Sequence, residues 1–141
     1  MSSSSTGGKS SSQYSTELAF ALTLADRADA ISLSRYQALD LEITTKPDNS
    51  PVTDADKAVE RAIIDAIAAQ YPSDGVVGEE FGTSGSRGSK DRYWVIDPID
   101  GTKNFLRGVP TWATLIALVE NEQVVTSVVS SPALYRRWYA T

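Results

Sequence analysis

Tyr93-Trp94-Val95-Ile96-Asp97-Pro98-Ile99-Asp100-Gly101-Thr102-Lys103-Asn104-Phe105 runs from an apolar stretch into an abrupt polar break. The apolar residues Tyr93 to Ile96 predict a strand. Pro98 has no N–H for a strand ladder and a fixed φ, so the strand is expected to end there. In a continuing strand, Asp97 and Asp100 would face opposite sides. A turn after Pro98 lets both carboxylates converge and frees the Ile99 carbonyl. Gly101 permits close approach of backbone to a ligand. A helix starting near Thr102 would aim the Gly101 and Thr102 amides at a phosphate oxygen. A second acidic pair, Gly78-Glu79-Glu80, follows another apolar dipeptide, Val76-Val77.

The chain has 141 residues, enough for one domain with a modest core. Its formal charge of −5 argues against non-specific nucleic-acid binding. An anionic substrate fits only if cations or backbone donors offset that charge locally. The absence of cysteine and histidine removes disulfides, Cys- or His-ligated zinc, and Ser-His-Asp or cysteine nucleophiles. No apolar run reaches transmembrane length, so no membrane partner is expected. Residues 1–13 lack the apolar centre of a secretory signal. A cytoplasmic location is the expectation.

Outward from the opening stretch, residues 1–13 read as a disordered Ser-rich tail, because they bury too little to offset ordering entropy. Tyr14 to about Leu41 reads as a helix, with Leu18, Ala21, Leu22, Ala25, Ala28 and Ile31 on one face. Two prolines and turn residues make 42–52 a loop carrying Lys46. Thr53-x-x-Asp56 resembles a capping box opening a helix to about Gln70. Val59, Ala62, Ile63, Ala66 and Ile67 supply its buried face. Phe81 to Asp91 reads as a mobile Gly/Ser loop. Pro110–Val119 and Gln123–Ser130 read as a hairpin turning at Glu120-Asn121-Glu122, and Arg136–Thr141 as a further strand. This order predicts an α+β fold or a layered α/β/α sandwich. The last strand leaves an open edge, so the fold is expected to continue beyond these residues.

Carboxylates, a carbonyl and a hydroxyl are all oxygen donors, which suit Mg2+. Glu79 and Asp97 are candidates to share one ion, and Asp56 is placed to join an adjacent one. Such ions would neutralise a phosphate and lower the pKa of an attacking water. Hydrolysis of a phosphomonoester without a covalent intermediate follows. An aspartyl-phosphate route through Asp54 wants its nucleophile at the tip of a buried apolar strand, whereas the segment before Asp54 is polar and holds Pro47 and Pro51.

Taken together, Gly78-Glu79-Glu80, Trp94-Val95-Ile96-Asp97-Pro98-Ile99-Asp100-Gly101-Thr102 and Pro51-Val52-Thr53-Asp54-Ala55-Asp56 resemble the inositol monophosphatase superfamily. The resemblance covers about residues 16–141. Ala38-Leu39-Asp40-Leu41, Thr45-Lys46-Pro47-Asp48, Arg107-Gly108-Val109-Pro110 and Pro132-Ala133-Leu134 with Arg136-Arg137-Trp138 are similar to its bacterial histidinol-phosphate phosphatases. The resemblance implies the superfamily's layered α/β/α sandwich, with residues 14–141 as its N-terminal part and the C-terminal half absent. It implies Mg2+-dependent release of phosphate from L-histidinol phosphate, in histidine biosynthesis. An inositol phosphate is the competing substrate, and an inactive truncated binding module is the non-enzymatic alternative. It implies that Glu79, Asp97 and the Ile99 carbonyl hold a first Mg2+, that Asp97 and Asp100 serve a second, and that Asp56 sits near a third. Thr102 would pair with Glu79 to polarise the water, Gly101 and Thr102 would hold phosphate, and Lys46 would lie in the mobile loop completing the site. A homodimer is compatible with the superfamily. The superfamily also draws on a downstream Trp-Asp motif that this chain lacks, so the 141 residues are expected to be inactive or nearly so.

Overall fold

The computed structural model describes residues 11–85 and 91–141. The tail expected over 1–13 lies outside the described residues up to residue 10. Ser11–Tyr14 form a single 3-10 turn leading into helix α1, Ser15–Arg35. A short antiparallel pair follows, β1 (Ile43–Thr45) with β2 (Pro51–Thr53). Then come α2 (Asp54–Gln70), β3 (Gly75–Gly78), β4 (Gly82–Gly85), β5 (Arg92–Asp100), α3 (Thr102–Leu106), β6 (Ala113–Glu120), β7 (Gln123–Ser131) and β8 (Arg136–Ala140). Strands β3 to β8 form a mixed six-stranded sheet in the order β4-β3-β5-β6-β7-β8. Among the described residues, β3 and β5 are the only neighbours in it that run parallel.

The fold is α+β, as expected. Helices α1 and α2 lie on one face of the sheet and enclose the main core. Leu24, Ala25, Ile63, Ile67, Trp94, Ile96, Ile116 and Leu118 are all at most 2% exposed there. Alternation puts Trp94 and Ile96 inward, while Val95 faces out at 38% exposure. Trp138, opposite Val129 on β8, stands on that outer face, half exposed. Among the described residues, helices therefore cover one side of the sheet, and the side bearing Val95 and Trp138 is open. A smaller second core of Ala55, Ile99, Phe105 and Trp112, with Tyr36 and Leu41 against it, sits beneath the segment after β5.

Four local expectations are corrected. Helix α1 ends at Arg35 rather than near Leu41, because Tyr36 turns extended and leaves for the second core. Its ring packs on Phe105 and Trp112, and its hydroxyl donates to the Gly108 carbonyl at 2.8 Å. The loop expected at 42–52 contains the β1–β2 pair, since Lys46 and Ser50 close its tip through a backbone hydrogen bond of 2.8 Å. Part of the loop expected at 81–91 is strand β4, paired with β3; residues 86–90 lie outside the described residues. The strand expected to stop at Pro98 continues to Asp100. It does so through a bulge, in which the missing N–H of Pro98 costs no ladder bond.

The capping box is present. The Thr53 hydroxyl accepts from the amides of Ala55 and Asp56, and the Asp56 carboxylate accepts from the Thr53 amide at 2.8 Å. The β6–β7 hairpin turns on Asn121 and Glu122, at φ of 52° and 68°. That is the turn in which Asn-Gly is preferred, because a side chain at the second position is strained. Glu122→Gly is therefore expected to stabilise the protein by about 0.5–1 kcal/mol, read as a raised urea midpoint with unchanged m-value. A lowered midpoint would show that Glu122 contributes contacts worth more than the strain.

Candidate active site

The bulge in β5 builds the site. Asp97 pairs with Leu115 and Asp100 with Ala113, so three steps along β5 match two along β6. Leu115 and Ala113 share a face, and the extra residue brings Asp100 round to the side of Asp97. The buried Thr114 hydroxyl locks this geometry by donating to the Pro98 carbonyl at 2.8 Å. Gly101 then takes φ of 93°, and a Cβ there would meet the Thr111 carbonyl at 3.0 Å. The left-handed φ favours glycine, and the close carbonyl leaves little room for a side chain. The short helix α3 follows, anchored by buried Phe105.

Glu79 and Glu80 arrive from the turn between β3 and β4, beside the C-terminal end of the parallel pair β3/β5. The Glu79 amide donates to the Ile96 carbonyl at 3.3 Å, tying the turn to β5. One pocket of about 420 Å³ is lined by Lys46, Glu79, Glu80, Asp97, Ile99, Asp100, Gly101, Thr102 and their neighbours. Openings beside the ends of sheet strands are common places for ligands. Lys46 reaches Glu80 at 3.4 Å from the β1–β2 tip. Burial works against the Lys46 charge, but Glu80 and Glu79 outweigh it and hold the ammonium above its ordinary value.

Asp56 stands behind this wall rather than in it. Its side chain is 1% exposed. One oxygen accepts from Thr53, and the other accepts from the Thr102 hydroxyl at 2.9 Å. The same hydroxyl lies 3.0 Å from the Ile99 carbonyl. Thr102 thus makes its hydrogen bonds to Asp56 and Ile99, not to Glu79. Asp54 is engaged elsewhere. Arg35 clasps it at 2.9 and 3.3 Å and holds its carboxyl below the usual range.

Electrostatics set the chemistry. Burial first, then Asp100, Glu79, Asp56 and Glu80, push the Asp97 carboxyl up to about 7. Burial likewise raises Glu80, against the pull of Lys46. Such crowding of like charge is relieved by a hard cation, and the donors are all oxygen. The residues fit Mg2+ in chemistry. Among the described residues, however, no three carboxylates stand close enough to hold an ion as placed. Drawing them together would require the neutralising charge itself.

Glu60 escaped the sequence reading. It is fully buried in α2, and its carboxylate accepts from the Glu80 and Phe81 amides at 2.9 and 2.7 Å. The available signal was a Glu on the apolar stripe Val59, Ile63, Ile67, four residues after Asp56. A charge there demands buried partners.

The model of the inositol monophosphatase family matches residues 13–141. The chain is 57% identical over 124 residues to the histidinol-phosphatase of Mycobacterium tuberculosis, covering 88% of this chain and 47% of that protein. It is 53% identical to the histidinol-phosphatase of Streptomyces coelicolor, covering 90% and 48%. An inositol monophosphatase from Zymomonas mobilis superposes with a TM-score of 0.72 at 39% identity, covering 89% of this chain and 47% of that one. The chain spans about half the length of the curated relatives it matches.

Proposed function

Because this chain belongs to the inositol monophosphatase family, we propose that its carboxylate pocket takes part in Mg2+-dependent hydrolysis of a small phosphomonoester. L-histidinol phosphate is the proposed substrate, placing the protein in histidine biosynthesis in the cytoplasm. High identity to two histidinol-phosphatases supports that choice over an inositol phosphate. Among the described residues no helix is long and apolar enough to cross a membrane. The observation that carries the reading is Asp97, pushed to about 7 in a pocket it shares with Glu79, Glu80 and Asp100.

In this reading, Glu79, Asp97, Asp100 and the Ile99 carbonyl hold Mg2+, which supplies charge neutralisation and a more acidic water. Gly101 and Thr102 bind phosphate oxygens where the chain enters α3. Asp56 holds the Thr102 hydroxyl as its hydrogen-bond acceptor, which leaves that oxygen's lone pairs to orient a water proton. Lys46 lends positive charge to an anionic substrate while pairing with Glu80. A homodimer is the proposed assembly.

The test is phosphate release from L-histidinol phosphate and from an inositol monophosphate, with Mg2+ and with chelator. It is run on this chain alone and on this chain completed with the remaining half of the Mycobacterium tuberculosis relative. The completed protein is expected to prefer L-histidinol phosphate by at least about tenfold in kcat/KM, which is about 1.4 kcal/mol of differential transition-state binding. The 141 residues alone are expected to turn over little or nothing, because they span about half the length of the histidinol-phosphatases they match. Equal rates on both substrates would sink the substrate assignment, and full activity in chelator would sink the metal.

A further inference from the structure

The geometry points to Glu60 as a positioning residue: from the buried side of α2 it holds the turn that presents Glu79 and Glu80 to the pocket. The inference rests on the proposed cation site but concerns a residue that does not touch it.

Glu60 is 0% exposed and lies in the first half of α2. One carboxylate oxygen accepts from the Glu80 amide at 2.9 Å and the other from the Phe81 amide at 2.7 Å. These amides belong to the turn between β3 and β4, where the antiparallel ladder closes at Gly78 and Gly82. Without Glu60 both amides would lose their hydrogen-bond acceptor in a partly buried place. The Glu79 amide meets the Ile96 carbonyl on β5. The turn is therefore held from two sides, by β5 through Glu79 and by α2 through Glu80 and Phe81. Arg61, next to Glu60 on the helix, lies over the Phe81 ring at 4.3 Å and adds to the hold.

Gly78 gives an independent sign that the carboxylate belongs there. A Cβ on Gly78 would fall 2.1 Å from Glu60 Oε2 and 2.4 Å from its carboxyl carbon. Gly78 is thus glycine for space and not for a left-handed φ. The missing side chain and the buried carboxylate are two halves of one arrangement. Hydrogen-bonding partners that orient metal ligands commonly carry tenfold to hundredfold effects on cation affinity. Glu60 acts one step removed, by fixing the backbone from which two pocket carboxylates project.

The test uses the full 141-residue chain, labelled with 15N. Mg2+ alone is titrated and followed by amide shifts, and amide exchange is measured on the same samples. Glu60→Gln keeps the side-chain shape but turns one acceptor into a donor facing an amide. It is expected to weaken Mg2+ about 10- to 100-fold and to speed exchange at Glu80 and Phe81 at least about tenfold. Ile63→Val, on the same buried face of α2, lowers stability without a hydrogen bond to the turn. It should leave both readouts within about twofold. Gly78→Ala should reproduce the Glu60→Gln effect, and the double variant should be little worse than either, as coupled sites require. Unchanged exchange at Glu80 and Phe81 in Glu60→Gln overturns the proposal, as does an equal loss of Mg2+ affinity in Ile63→Val. If the unaltered chain takes up no Mg2+, the proposed function fails instead, and the exchange measurement still decides whether Glu60 holds the turn.

Discussion

Replacing Asp97 with asparagine is expected to stabilise the protein in the absence of divalent cations at pH 8 while abolishing its response to Mg2+. The folded carboxyl is raised from 3.8 to about 7, chiefly by burial and then by Asp100 and Glu79. Between those values the folded state keeps a proton that the unfolded chain has released. The group therefore favours folding least once ionised: stability falls as pH rises from about 4 and is lost through about 7. Asparagine does not titrate, so the variant escapes that loss. Asp97 is only half-buried, so solvent screening reduces the effect to on the order of 1–2 kcal/mol at pH 8 and near zero at pH 4. Excess Mg2+ should raise the wild-type melting temperature, because a ligand that binds only the folded state stabilises it. It should not move the variant. In the completed enzyme the same change should cut phosphate release at least about 100-fold. Melts at pH 4 and pH 8, with and without Mg2+, check all but the last point. Parallel pH dependence in the two proteins would show that Asp97 does not carry the strain assigned to it.

Trp94→Ala should remove a large part of the folding stability. Trp94 is 0% exposed, and Phe20 and Tyr71 pack on it with ring centroids 5.7 and 5.9 Å away. Its indole N–H donates to Asp74 at 2.9 Å, where Arg92 also binds at 3.0 Å. Truncation at such a site costs about 3–5 kcal/mol. A small domain has only about 5–15 kcal/mol in total, and this one leaves a sheet face and the β8 edge exposed. Because Asp97 lies three residues along the same strand, the site goes with the core. Trp94→Phe keeps a ring and loses the hydrogen bond to Asp74, so it should fold with a loss of about 1–3 kcal/mol. Urea unfolding followed by circular dichroism separates the two. A cooperative Trp94→Ala transition within 1 kcal/mol of wild type would mean that α1 and α2 do not depend on this residue for their packing.

The elements whose signal is local are legible in the residues. The capping box at Thr53 and Asp56, the β6–β7 hairpin and the apolar faces of both helices need only near neighbours, and each forms as its pattern requires. The family is legible for the same reason: Gly-Glu-Glu and Asp-Pro-Ile-Asp-Gly-Thr are contiguous strings. Their gathering into one pocket also follows from that resemblance. Where long-range contacts compete with local preference, the reading fails. Tyr36 ends α1 early because its partners are Phe105, Trp112 and Gly108, some 70 positions away. Pro98 is a strand-breaker by local chemistry, yet β6 absorbs it as a bulge and so turns Asp100 to the side of Asp97. The Thr102 hydroxyl chooses Asp56 over Glu79 because α2 passes behind α3. Glu60 shows in the chain only as a charge on an apolar stripe; its role emerges once β3 and β4 bring the Glu80 and Phe81 amides to its carboxylate. Hydrophobic period and turn chemistry act within a few residues and are written in the chain. The placement of a buried charge depends on donors that only the assembled sheet and helices supply.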